Sequence, residues 1–130
     1  LLKNNDLNKK LMDIIISKIK FILSDHKPMN SLVHGDFWSG NVGSCYSGKG
    51  IIFDPSCWWA DAEVDIAMSK LFGGFNQDFY NEYYKYIKEK KGLGNRINIY
   101  NFYHILNHAN MFGGSYVDQV NLYINMILNM

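Results

Sequence analysis

The sequence predicts a helix-rich α+β fold, with helices grouped on one side of a small sheet. Three observations predict it. Apolar residues recur at i, i+3, i+4 spacing near the start of the chain and again through most of residues 62–130. Two short apolar runs, Val42 to Tyr46 and Ile51 to Phe53, flank the turn sequence Ser47-Gly48-Lys49-Gly50 and read as a hairpin. Finally, 48% of the 130 residues are hydrophobic, enough for a packed core and too many for a disordered chain.

Each element has a local reason. A first helix is expected from near Asp6 to Leu23. Leu11, Ile14, Ile15, Ile19, Ile22 and Leu23 make its buried face, and Lys9, Lys10, Asp13, Lys18 and Lys20 fall mostly opposite. Pro28 forces Lys27 out of helical geometry and opens a loop. Leu32 and Val33 are expected as a short buried strand or strand-like entry, and the Gly, Ser and Asn content of residues 34–41, HGDFWSGN, makes a loop. Pro55 closes the second hairpin strand because it has no N–H for a ladder. From Ala62 a helix is lined by Val64, Met68, Leu71 and Phe72 and stops at Gly73-Gly74. The next, from Gln77 to about Lys88, has Phe79, Tyr83, Tyr86 and Ile87 as its apolar stripe. After the polar segment KEKKGLGN, a helix from Arg96 to Met111 stops at Gly113-Gly114, and a last one runs from Tyr116 towards Met130.

Composition excludes several functions. Thirteen Lys and Arg face 12 Asp and Glu, a net charge of +1, so no strong field draws nucleic acid or anionic lipid. No apolar run approaches the roughly 20 residues of a membrane span. The 2 cysteines, Cys45 and Cys57, form no CxxC, which points away from a disulfide framework and towards a reducing compartment, the cytoplasm. The opening LLKNNDLNKK has no signal-peptide pattern. Arg96 is the only arginine, and the abundance of Asn, Ile, Lys and Tyr reflects AT-rich codons.

Three polar residues sit where a core-building sequence would not put them. Asp36 and Asn41 lie five apart in a Gly-containing loop directly after an apolar strand. Asp54 follows Ile51-Ile52-Phe53 and precedes Pro55. A hairpin between Asn41 and Asp54 brings its outer ends together, with Asp36 at its mouth. Two carboxylates and an amide oxygen then converge without a His or Cys partner, a donor set that suits Mg²⁺ rather than zinc. A carboxylate left over from ligation can act as a base. His34-Gly35-Asp36 followed by Asn41 also has the D-x4-N spacing of a kinase catalytic loop, with Gly35 in place of its Arg. The missing Arg points to a small-molecule kinase that needs no activation-loop phosphorylation. The bland reading of Asp36 and Asp54 is a turn residue and a strand-end cap.

The string HGDFWSGN, then IIFDP, DAEVDIAMSKLFGGF, DFYNEY and YNFYHILNHANMFGGSY resembles the fructosamine kinase (ketosamine 3-kinase) family over residues 31–130. The fold implied is the helix-rich C-terminal lobe of a protein-kinase-like, aminoglycoside phosphotransferase-like structure with a small β-hairpin. The activity implied is ATP-dependent phosphorylation of free or protein-bound ketosamines at the sugar 3-hydroxyl, with deglycation as its role and ATP and Mg²⁺ as cofactors. By the same resemblance Asp36 is the catalytic base, and Asn41 and Asp54 are the Mg²⁺ ligands. Asp65 anchors the loop through backbone N–H groups, and Trp38 is a candidate wall of the sugar site. Read from the residues alone, His34 packs behind the loop and hydrogen-bonds its backbone rather than serving as a ligand or base, and Trp58, in the loop after Asp54, is a second candidate wall. Phe37 stands where the family usually has Leu, Trp58-Trp59 where it has Tyr-Tyr, and Ala60-Asp61-Ala62 where Gly-Asp-Arg is common.

No Gly-rich phosphate-covering loop or strand Lys precedes Asp36, and a kinase N-terminal lobe needs on the order of 80–100 residues. The chain is therefore expected to be one lobe, without the N-terminal lobe, inactive alone and prone to self-association through the exposed lobe interface. Rival functions are a choline or aminoglycoside kinase, or a lobe that folds and binds partners without catalysis. His104 and His108 stand i, i+4 on one helix, a zinc spacing that lacks a third ligand and reads as a buried or rim pair. Trp58, Trp59 and the tyrosines at 80, 83, 84 and 86 read as core or as a ligand stack. The lysines at 85, 88, 90 and 91 read as a solvated helix end.

Overall fold

The computed structural model describes residues 5–130. They fall into two compact units, residues 5–27 with residues 102–130, and Pro28–Asn101. Secondary structure is helix-rich α+β, as the sequence predicts, with two small antiparallel sheets. Among the described residues no helix is long and apolar enough to cross a membrane.

In the first unit, helix α1 (Asn5–Leu23) packs on helix α5 (Ser115–Leu128). Ile15 is the fully buried centre of the α1 face, flanked by half-buried Leu11, Ile19, Ile22 and Leu23. Ile14 departs from expectation: it is 57% exposed, because it lies at the margin of the stripe that Leu11, Ile15 and Ile22 define. Val120 and Ile127 on α5 and Phe102 and Ile105 on helix α4 (Leu93–Phe112) complete the buried set. Gly113 and Gly114, both at positive φ, make the expected break between α4 and α5. The His104/His108 pair belongs here. His108 donates its Nδ1–H to the His104 carbonyl at 2.8 Å and packs its ring against Phe112 and Tyr116. One of its nitrogens is thus committed to its own helix.

The second unit carries the sheets. Strand β1 (Asn30–Val33) pairs antiparallel with β4 (Trp58–Asp61), Leu32 opposite Trp59 and Val33 opposite Trp58. Strand β4 stands where the sequence predicts no strand after Pro55; Trp-Trp-Ala has the aromatic content of a strand but is too short to show a period. Strands β2 (Val42–Ser44) and β3 (Gly50–Ile52) form the expected hairpin, with Gly48 at φ +78° in its turn.

Helix α2 (Glu63–Leu71) buries Val64, Ile66, Ala67 and Met68 and ends at Gly73-Gly74, both at positive φ. Helix α3 (Gln77–Tyr86) is capped by Asn76, whose Oδ1 accepts from the Phe79 N–H at 3.0 Å. Its buried residue is Tyr80, held by Ser69 and by the Phe75 N–H. Tyr86, expected on the apolar stripe, is 81% exposed: α3 ends there and Ile87 already has extended geometry. Helix α4 begins at Leu93, one turn before the expected Arg96, directly after Gly92 at φ +82°.

Arg96 is almost fully buried. Its guanidinium meets the Glu63 carboxylate with two parallel bonds (Nε–Oε2 2.5 Å, Nη2–Oε1 2.8 Å) and donates to the carbonyls of Lys91 and Lys90. Nearby, Tyr100 donates its hydroxyl to Asp61 at 2.9 Å, and the other Asp61 oxygen accepts from the Glu63 N–H. These contacts fix the start of α2 against the start of α4 within the unit.

Candidate active site

Helix α2 positions the loop that follows β1. Asp65 stands in the first turn of α2, where the helix dipole favours a carboxylate. One of its oxygens accepts from the His34 N–H at 2.7 Å, the other from the Gly35 N–H at 2.9 Å. Each carboxylate oxygen thus holds one peptide unit of the turn that precedes Asp36.

The turn requires glycine at 35. Its φ is +81°, and a Cβ there would lie 2.0 Å from the Ser56 carbonyl oxygen. Ser56 is close because its N–H donates to the His34 carbonyl at 2.8 Å. The chain after Asp54 is thereby pinned to the chain before Asp36. Gly40 is required for a different reason: the Trp38 indole lies over it, and a Cβ would sit 2.3 Å from that ring.

Asp36 and Asn41 face one another across the 3₁₀ turn Ser39–Asn41. The Asn41 side-chain NH₂ donates to the Asp36 carboxylate at 2.8 Å and to the Asp36 carbonyl at 2.9 Å. Asn41 is buried, and with its nitrogen spent on Asp36 its amide oxygen is the end turned away from that carboxylate. The Asn41 carbonyl accepts from the Phe53 N–H at 3.1 Å, so the outer ends of the hairpin do meet. Asp54 follows directly, at φ +51°, the only non-glycine residue at positive φ among the described residues. Asp tolerates that left-handed conformation better than most side chains, and such outliers concentrate at functional sites. Asp54 is exposed.

His34 sits between the two segments. Its ring lies 3.0 Å from the Phe53 carbonyl through Nε2, and its Nδ1 accepts from the Asp36 N–H at 3.3 Å. Trp38 is half-buried and meets Phe72 edge-on at 5.9 Å. Trp58 stands on β4 beside Gly35 and is 47% exposed, while Trp59 is 67% exposed.

Sequence reasoning missed the role of Phe37. Its ring contacts His34, Phe75 and Phe79 at 5.7, 5.2 and 5.9 Å. The aromatic run FGGFNQDF carried a signal for this cluster, but only the fold shows that Phe37 joins it. Phe37 also borders an open, mostly apolar cavity of about 530 Å³ that runs past Leu32, His34, Pro55, Cys57 and Tyr83. Burial and the nearby Asp65 charge push the Tyr83 hydroxyl up to about 12.

The arrangement places a carboxylate, an amide oxygen and a second carboxylate on two chain segments tied to each other, beside an apolar recess. A model of the family described as fructosamine kinase matches residues 1–130. The chain belongs to the fructosamine kinase family. It is 46% identical over 129 residues to "Probable ketoamine kinase" of Vibrio parahaemolyticus, covering 99% of this chain and 44% of that protein. It is 39% identical over 99 residues to "Ketosamine-3-kinase" of Mus musculus, covering 76% of this chain and 32% of that protein. The crystal structure described as "Putative fructosamine-3-kinase" from Haemophilus somnus 129PT superposes with a TM-score of 0.80 at 34% identity, over 93% of this chain and 43% of that one. A second, from Thermobifida fusca, gives a TM-score of 0.81 at 23% identity and supports the fold alone. The chain therefore spans less than half the length of these relatives.

Proposed function

We propose that these residues form the acceptor-side lobe of a ketosamine kinase, which transfers the γ-phosphoryl group of ATP to the 3-hydroxyl of a fructosamine or ribulosamine, free or on a protein. The observation that carries this reading is the Asn41–Asp36 hydrogen bond, held in place by the Asn41–Phe53 backbone bond next to Asp54. Asp36 accepts the proton of the sugar hydroxyl as its oxygen bonds to phosphorus and the bond to ADP breaks. Asn41 orients the Asp36 carboxylate through its NH₂. The Asn41 amide oxygen and the Asp54 carboxylate form an all-oxygen donor set that fits Mg²⁺ and not zinc. When bound, Mg²⁺ supplies neutralisation of phosphate charge. Little covalent chemistry falls to the protein, so positioning by Asp65, Gly35 and Asn41 is its main contribution.

The phosphorylated product is proposed to lose its amine, which makes deglycation the role and the cytoplasm, where ATP is plentiful, the site of action. Residues 1–130 alone are proposed to be inactive, because no Gly-rich phosphate-covering loop or strand Lys stands before Asp36, and to self-associate, because Leu32, Ile52 and Trp59 expose 61%, 61% and 67% of their surface. The test is a coupled ATP assay on fructoselysine, ribuloselysine, choline and an aminoglycoside, using the complete polypeptide that contains these residues. ³¹P NMR assigns the phosphorylated hydroxyl. The reading expects turnover on the ketosamines alone; turnover on choline or the aminoglycoside with none on the ketosamines contradicts it. Light scattering on residues 1–130 tests the association.

A further inference from the structure

His34 has two ring nitrogens, and both are spoken for by the backbone. A backbone N–H can only donate, so the Asp36 N–H at 3.3 Å requires a bare Nδ1. A carbonyl can only accept, so the Phe53 oxygen at 3.0 Å requires a proton on Nε2. The main chain of the same residue is fixed as well, by Asp65 on its N–H and by the Ser56 N–H on its carbonyl. His34 is buried (9% exposed), and Phe37 lies against its ring.

One nitrogen therefore holds the peptide of Asp36, and the other holds the peptide that leads into Asp54. These belong to different segments, separated in sequence by the hairpin β2–β3. We propose that the neutral Nε2–H imidazole of His34 is a positioning residue that couples the two halves of the site, Nδ1 setting Asp36 and Nε2–H setting Asp54. This rests on reading Asp36 as the base and Asp54 as a phosphate-side ligand. It goes beyond that reading in assigning a tautomer and a separate kinetic consequence to each nitrogen.

Two substitutions separate the nitrogens. The side-chain amide of Asn reaches about as far as Nδ1, so His34→Asn keeps an acceptor for the Asp36 N–H and loses the tie to Phe53. The amide of Gln reaches about as far as Nε2, so His34→Gln keeps a donor to Phe53 and loses the tie to Asp36. In the complete polypeptide, His34→Asn is expected to raise the KM for Mg·ATP roughly tenfold with kcat within about threefold of wild type. His34→Gln is expected to lower kcat roughly tenfold with that KM within about threefold. Tenfold is the order of one hydrogen bond. A purely structural histidine would give the two variants the same profile, and that result overturns the proposal.

A spectroscopic arm needs no turnover, so a failure of the kinase reading leaves it intact. In ¹⁵N-histidine-labelled protein, long-range ¹⁵N–¹H correlations distinguish protonated from bare ring nitrogens, and the His34 signal is assigned by its loss in His34→Gln. A protonated Nε2 with a bare Nδ1 supports the proposal; the reverse overturns it whatever the kinetic profiles of the two variants.

Discussion

Gly35→Ala tests how the loop before Asp36 is held. The substitution acts twice. Ala at φ +81° pays a left-handed cost of about 1–2 kcal/mol. Its Cβ would also fall 2.0 Å from the Ser56 carbonyl oxygen, a backbone atom that cannot rotate away. Real Cβ contacts stay beyond 3.0 Å, so Ser56 must retreat by 3.0 − 2.0, at least 1 Å. That movement breaks the 2.8 Å bond from the Ser56 N–H to His34, worth about 0.5–1.5 kcal/mol. It also strains the Gly35 N–H bond to Asp65, one of the charge-assisted kind worth about 1.5–3 kcal/mol when lost. Because the Asp65 bond is strained rather than lost, the first two costs with part of the third come to roughly 2–5 kcal/mol. Gly73→Ala is the control: φ is +97°, yet nothing lies within 4 Å, so only the left-handed cost of about 1–2 kcal/mol applies. Urea unfolding of both variants and wild type reads the difference. A Gly35→Ala cost no larger than that of Gly73→Ala would refute the close approach of Ser56 and the pinning argument built on it.

Three further outcomes are expected. Arg96→Lys keeps the charge but loses the fork that grips both Glu63 oxygens and two carbonyls; destabilisation of about 2–4 kcal/mol is expected by denaturant titration, less than the roughly 3–5 of a removed buried partner. Burial raises Tyr83 to about 12, and burial together with the bond to Asp61 raises Tyr100 as well. Because the folded state then holds protons that unfolded tyrosines release near 10, stability is full below pH 10 and falls between pH 10 and about 12. Unfolding at pH 9, 10 and 11 should show that fall, and Tyr83→Phe and Tyr100→Phe should each flatten it. Asp54→Asn, chosen because Asn also tolerates left-handed φ, should weaken Mg²⁺-dependent nucleotide binding with partial rescue by excess Mg²⁺. Unchanged Mg·ATP affinity by calorimetry removes Asp54 from that role.

Much of this was legible before any coordinates. Helices announce themselves by period, and Gly73-Gly74 and Gly113-Gly114 mark their ends at the residues where positive φ is found. The hairpin was legible from its turn, and with it the approach of its outer ends, which the structure shows as the bond from the Phe53 N–H to the Asn41 carbonyl. Strand β4 was not, because pairing with β1 is a non-local choice that four residues cannot encode by alternation. Tyr86 was misplaced because its exposure depends on where α3 stops. Arg96 offered a clue that reasoning left unused: a lone arginine kept in a chain whose other cations are all lysine suggests a site that needs a planar fork. The two-sided commitment of His34 and the joining of Phe37 to Phe75 and Phe79 depend on distances that no linear pattern carries.

The central claim is that Asp36 takes the proton of the acceptor hydroxyl. Asp36→Asn tests it cleanly, since the Asn oxygen can still accept from the Asn41 NH₂ now 2.8 Å from the carboxylate, leaving basicity as the main loss. In the complete polypeptide, with fructoselysine as acceptor, kcat should fall by roughly 10²–10⁴-fold while Mg·ATP affinity by calorimetry stays within a few-fold of wild type. A variant that retains activity within tenfold of wild type would show that Asp36 is not the base.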